Sequence, residues 1–295
     1  QLFDSLKNFF HSGTSRQERK ELKALVSNGT SLRIQSLVLD DMSLIGKTLD
    51  LSVKLDSDID MFLKGNVDIT LDESQRRISD NQVKWTNELK TKGLNSQKFN
   101  STLFSAGDSR EPEQAGVLGA LIGSFFMLLI TFIVAFPLGV AAAIYLEEFA
   151  PKNKFTDFVE VNINNLAAVP SIIYGLLGLA VFINFFGMPR SAPLVGGLVL
   201  ALMTFPVIII ASRAALQSVP PSITDAALGV GASKIQTVFD HVFPLALPGM
   251  LTGSIIGMAR ALGESAPLLM IGMVAFVVDI PSTPLDASAA LPVQV

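Results

Sequence analysis

From Gln114 to Leu146 the chain runs for 33 residues without one Asp, Glu, Lys or Arg. The hydrocarbon core of a bilayer is crossed by about 20 apolar residues in a helix, so this run is long enough to span it with some tilt. A soluble core helix of that length is the competing use, and a mean hydropathy of +0.48 argues against it. The charge distribution sharpens the point: residues 1–114 hold 33 charged side chains, and the remaining 181 residues hold 15. Two solvents are implied, water for the first segment and lipid for the second. Three more stretches meet the same test. Val161 to Met188 is uncharged and opened by Asn162, Asn164 and Asn165, a second lies between Arg190 and Arg213, and Pro248 to Val278 is interrupted by Arg260 and Glu264 alone. The expected fold is mainly α, a multi-pass α-helical membrane domain over 115–295. Its spans fall at about 115–146, 163–187, 191–212 and 249–278, with a loop over 213–247.

Short-loop charges orient these spans. Lys152 and Lys154 lie in one loop and Arg213 and Lys234 in another, against Arg190 alone on the opposite side, so both former loops are expected in the cytoplasm. Residues 1–114 then lie outside it, on the extracytoplasmic side. Within them Leu49, Leu51, Val53 and Leu55 alternate with polar residues, as do Val67, Ile69 and Leu71, the period of half-buried strands, with 31–39 as a weaker third. Arg16 to Val26 reads as a helix with Leu22, Leu25 and Val26 on one face, stopped at Asn28-Gly29. A small extracytoplasmic α+β domain is expected. The first residue is Gln1 and nothing near it reads as a signal peptide, so an exporting segment is expected upstream. The absence of cysteine excludes thiolate chemistry and cysteine-built metal sites, and a net charge of −4 without a basic block excludes a nucleic-acid binder.

Between the third and fourth spans runs VPPSITDAALGVGASKIQTVFDHVFPLALPG. Ser222 with Asp225, and Ser233 with Gln236, have capping-box spacing, which predicts two short helices joined near Gly229 to Gly231. In the second, Ile235, Val238, Phe239, Val242 and Phe243 form one apolar stripe, and Pro244 and Pro248 are expected to end it. Periodicity alone is equally met by a connector lying on the membrane surface. The spacing of particular residues decides otherwise: Asp225-Ala226-Ala227, then Gly231, then Pro244 resembles the loop consensus of ABC importer permeases, with Asp in place of Glu and with His241 and Phe243 where Ile and Leu are usual.

The stretch ARALGESAPLL, residues 259–269, is similar to the ARA-x-GETAPLL signature of phosphate ABC importer permeases of the PstA type, and IYLEEFAPKNKFTD and LAAVPSIIYGLLGL match elsewhere. The likeness covers roughly residues 107–295. It implies a MetI-like transmembrane domain, one permease subunit of an ATP-driven inorganic phosphate importer and not an enzyme. Asp225, Ala226, Ala227 and Gly231 would form the coupling loop that docks on the ATPase. It also implies a paralogous PstC-type permease, PstB-type ATPase subunits and a PstS-type periplasmic phosphate-binding protein as partners. ATP and Mg would sit on the ATPase, leaving this chain without a cofactor or metal of its own. Family members have six spans, so one is expected to be missing at each end.

Two charges in the middle of an apolar segment cost about 2.5–3.5 kcal/mol each on insertion scales, so Arg260 and Glu264 require a reason. At i, i+4 they can neutralise each other, which is a purely structural use. The alternative is a translocation pathway, in which the guanidinium offers donors to an oxyanion and the carboxylate keeps it from being held too tightly. Sulfate or molybdate would suit such a site as well as phosphate. An ion-coupled carrier leaves the 220–244 loop unexplained, and a membrane-anchored sensor lacks an output segment. Gly46-Lys47-Thr48 is not a P-loop, since the glycine required five residues earlier is Asp41. His11 and His241 stand without a second ligand.

Overall fold

Side-chain caps mark where several helices begin. Ser15 accepts from Glu18 N, Ser79 and Gln82 form a reciprocal capping box, and Asn153 accepts from Phe155 N and Thr156 N. The computed structural model describes residues 2–10, 15–47, 50–274 and 276–294, and these divide into two compact units, 1–116 and 117–295.

The first unit is helical: α1 Leu2–Phe10, α2 Arg16–Lys23, α3 Gly29–Asp40, α4 Ser57–Leu63, α5 Asp80–Thr91 and α6 Thr102–Ser105. Its core gathers Phe10, Leu22, Leu25, Ile59, Ile78 and Trp85. Leu22, Leu25 and Val26 share the buried face anticipated for 16–26, although Asn28-Gly29 opens α3 and stops nothing.

No strand forms among the described residues, so the α+β expectation is corrected to an all-helical unit. Residues 31–39 lie inside α3, and Leu49 and Thr48 fall outside the described residues. Residues 50–55 belong to no helix and make a single antiparallel bridge, Val26 to Leu55. Asp56 then caps α4, its carboxylate accepting from Asp58 N. At 67–71 the Asp68 side chain takes both the backbone N and the hydroxyl of Thr70, a local turn that competes with any ladder.

The second unit begins with α7, Leu118–Ile144, prolonged by a π turn over Tyr145–Phe149, and continues with α8 Lys154–Ala167 and α9 Ser171–Gly178, which runs into a π turn over Leu179–Phe185. α10, Pro193–Gln217, is the central helix, with Val195, Val199, Leu200 and Ile208 fully buried. Then come α11 Pro221–Gly229, α12 Lys234–Gln236, a π turn over Thr237–Val242, α13 Phe243–Leu262, α14 Ala266–Met270 and α15 Leu291–Gln294. α7 and α10 approach closely through small residues. A Cβ on Gly197 would stand 2.7 Å from Ile130 Cβ, and the Thr131 hydroxyl lies 3.1 Å from the Gly197 carbonyl it bonds across the interface.

Two of the expected spans take other shapes. The segment expected at 163–187 is α8 and α9, which meet at a 96° bend across Ala168 to Pro170. The segment expected at 249–278 stops at Leu262 and starts earlier, at Lys234. Pro244 and Pro248 do not end it: Pro244 stands in the first turn of α13, where a missing N–H is tolerated, and Pro248 lies inside the helix. Among the described residues three helices are thus long and apolar enough to cross a membrane, or four if the bent pair counts as one. Beyond Met273 the chain folds back over the ends of α7 and α10. Ser288 N bonds Ser191 O, Leu194 N bonds Pro284 O, and Leu291 N bonds the Ser124 hydroxyl.

Candidate functional site

The loop between α10 and α13 is built on one glycine. α11 ends in a Schellman arrangement: Gly231 N bonds Leu228 O and Ala232 N bonds Ala227 O, with Gly231 at φ +92°. That is the left-handed region, where glycine carries no Cβ penalty. Ser233 and Gln236 then form the anticipated capping box, each side chain taking the other's backbone N–H. The other anticipated box is absent. Ser222 lies within the first turn of α11 behind Pro221, and no side chain caps that end. Asp225 and Ala226 are exposed, whereas Ala227 is buried.

The stripe expected on the second helix splits. Val238 and Val242 are 1% exposed and join Ala143, Ile144, Leu216 and Ala246 in the core at this end of the bundle. Ile235 and Phe239 remain 63% and 52% exposed, beside Leu228 and Val230 from α11 and its cap. The π turn produces this: its extra residue per turn moves the buried register to 238, 242, 246 and 250, and turns 235 and 239 outward. Next to it an apolar groove of about 420 Å³ is lined by Phe136, Pro137, Tyr145, Phe149, Phe239 and Phe243.

Arg260 and Glu264 straddle the end of α13, with Gly263 as its C-cap. Arg260 Nε is 3.6 Å from Glu264 Oε1, and the two side chains are 52% and 22% exposed. The pair is therefore loose and open rather than sealed in a core. Pro267 lies just beyond it and packs on α9, where a Cβ on Gly175 would stand 2.7 Å from Pro267 Cα. Asp225, Ala226, Ala227 and Gly231 lie just before the α12–α13 helix, and the Arg260–Glu264 pair lies at its far end.

A third cluster escaped the sequence reading. Arg213 Nε lies 3.2 Å from Glu147 Oε2 and its Nη2 lies 2.9 Å from Glu160 Oε1, while Gln217 Nε2 reaches the same Glu147 oxygen at 3.0 Å. Arg213 had been counted only as a loop cation. The paired acids are too far away in sequence for any local spacing to connect them. Among the described residues no group of acids or histidines has the arrangement of a metal site.

Comparison with known proteins agrees with this architecture. The family model described as "binding-protein-dependent transport system inner membrane component" matches residues 135–283, half of the chain, and one described as a domain of unknown function (DUF3333) matches residues 2–73. A probable ABC transporter permease protein, YqgI of Bacillus subtilis, is 37% identical over 155 residues, 52% of either chain. The phosphate transport system permease protein PstA of Mycobacterium leprae is 35% identical over 164 residues, 54% of this chain and 53% of the other. PstA of Haemophilus influenzae is 31% identical over 179 residues, covering 61% and 62%. A solved chain of the inward-facing MetNI methionine ABC transporter is 22% identical with a TM-score of 0.45, over 50% of this chain and 72% of that one. The chain spans about half the length of the curated relatives it matches. Its matched half and its apolar helices make it a multi-pass member of the binding-protein-dependent transport system inner membrane component family.

Proposed function

We propose that the chain is a permease subunit of an ATP-driven importer of inorganic phosphate, with residues 221–243 as the surface that receives a separate ATPase. The observation that carries the reading is the docking geometry. A Schellman-capped helix, a left-handed glycine and the exposed side chains of Leu228, Val230, Ile235 and Phe239 stand on a base, Val238 and Val242, that is fully packed into the bundle. Such a surface can take a load and pass it to the helices above. Asp225, Ala226, Ala227 and Gly231 supply the docking element in this reading, and Arg260 with Glu264 lies on the anion pathway. Phosphate as cargo is supported by the phosphate transport permeases among the relatives, including a PstC of Haemophilus influenzae, 32% identical over 183 residues. Kinship to both PstA and PstC favours a paralogous permease as the second membrane subunit. ATP and Mg would be held by the ATPase, phosphate would be delivered by a periplasmic binding protein, and residues 1–114 would face the periplasm.

The test is phosphate uptake by Arg260→Gln, Glu264→Gln at matched membrane abundance, with the ATPase still copurifying. Loss of uptake with assembly intact supports the pathway. If the pair were structural alone, the neutral double variant should transport normally, since removing both charges together leaves neither without its partner.

A further inference from the structure

We propose that Arg213 is a positioning residue of the transport cycle, through which displacement of the 221–243 loop reaches the bent helix pair α8–α9. The inference rests on the reading that this loop receives the ATPase. Only Ser218, Val219 and Pro220 separate α10 from α11, and they form a stiff link. The Ser218 hydroxyl bonds Ala215 O, Val219 N bonds Leu216 O, and Pro220 and Pro221 fix two successive φ angles. A push on α11 therefore arrives at the end of α10, where Arg213 stands. Its guanidinium meets two carboxylates at once, through Nε on Glu147 in the π turn that prolongs α7 and through Nη2 on Glu160 of α8. A planar fork can hold two carboxylates from separate elements in fixed directions, which an ammonium cannot. With the arginine side chain 19% exposed, salt screens this contact less than a surface pair.

From Glu160 the connection continues through covalent and packed structure. α8 leads to the 96° bend, and the bend is stapled by the Tyr174 hydroxyl, which donates to Leu166 O at 2.7 Å. α9 then lies against Pro267, three residues past Glu264. Arg213 is thus the polar joint in a contiguous path from the loop to the segment that carries Arg260. A physical path becomes a coupling path only if both ends respond to it.

The chain has no cysteine, so one introduced at the exposed Asn165, at the end of α8, reports on that helix alone. The transporter assembled with its ATPase is treated with a thiol reagent, with and without ATP-Mg, and the labelling rate of this chain is read alongside ATP hydrolysis. The parent should show a rate ratio of about tenfold between the two conditions, within the usual range of coupling between sites. Arg213→Gln should keep the ATPase bound and hydrolysing while the ratio falls close to one, and Arg213→Lys should lie between. Glu160→Gln leaves Arg213 its bond to Glu147 and should give the same loss; it carries the test if Arg213→Gln does not accumulate. A parental ratio in both Arg213→Gln and Glu160→Gln overturns the proposal, as does a parent that shows no nucleotide response. An Arg213→Lys chain equal to the parent removes the planar fork. If the parent retains no ATPase, the docking reading itself has failed; if it retains it and the ratios are unchanged, the relay alone has failed.

Discussion

With φ at +92° and no atom within 4 Å of where a Cβ would sit, Gly231 has room for a side chain but not the backbone for one. Spacing puts Gly231 at the joint of the two short helices, and the need for glycine there is conformational. A non-glycine residue here costs about 1–2 kcal/mol, more for a β-branched one and less for asparagine. Gly231→Val should therefore loosen the α11 cap and lose the copurifying ATPase, whereas Gly231→Asn should keep most of it. Equal retention by both would remove the backbone argument. Two aspartates outside the spans give opposite pH behaviour. The Asp286 carboxylate accepts from the backbone N–H groups of Thr283 and Ser282 and from the Ser282 hydroxyl, which holds it below its ordinary 3.8. A depressed acid stabilises the fold above its unfolded value, and the contribution goes as pH falls through the folded one, so the protection of the Ser282 and Thr283 amides against exchange, relative to their intrinsic rates, should fall below about pH 4. Burial raises Asp56 instead, with Asp58, Glu113 and Glu111 adding repulsion. Its ionised form is a cost at neutral pH that disappears as pH falls through the raised value. Asp56→Asn keeps a cap acceptor, so the protection of the α4 amides against exchange should rise at neutral pH and lose its pH dependence over that window.

Elements were legible where the helical period was backed by a cap or by sheer apolar length, as at Ser233–Gln236 and along α7. They were misread where alternation met no partner. Leu51, Val53 and Leu55 find a single bridge, Leu55 to Val26, and no neighbouring strand, and Asp68 bonds Thr70 before any ladder can form. The π turns were equally invisible, since nothing in the 235–243 stripe announces an extra residue per turn, yet that residue decides which side chains face out. Small residues between α7 and α10 give a measurable contrast. Gly197→Leu would press a side chain into Ile130 and the Met127 carbonyl, and overpacking of this kind costs about 1–3 kcal/mol. Thr131→Val keeps the shape and loses one interhelical hydrogen bond, about 0.5–1.5 kcal/mol. Thermal unfolding in detergent should rank parent, Thr131→Val and Gly197→Leu in falling order. The reverse order of the two variants would mean that the helices are held by the hydroxyl and not by close approach. Ser191 offers a further check: it sits at φ +60° with its hydroxyl bonded to Gly272 O, so Ser191→Ala keeps the strained backbone, loses the bond and should free the returning segment to local proteolysis.

For the whole molecule, composition separated two regions at 114, and the compact units divide at Gly116. The bend between α8 and α9 could not be anticipated, because an uncharged run reads the same whether it crosses straight or turns at Pro170. The two regions also set up the topology test. A cysteine at Ser57 should react with a membrane-impermeant thiol reagent supplied from the periplasm, and one at Ser233 should not; the opposite pattern would invert the proposed orientation. The returning segment has a consequence in time. Leu291 N bonds the Ser124 hydroxyl across 167 positions, and Ala290 and Ser288 are fully buried. These residues leave the ribosome after every helix they pack against, and a contact of such long sequence separation is paid for late in folding. Until they arrive, the ends of α7 and α10 stay uncovered, with Gly123 facing the gap that Ser288 will fill. A stalled or clipped chain would therefore carry its defect on one face of the bundle, where a membrane protease could tell an unfinished subunit from a finished one.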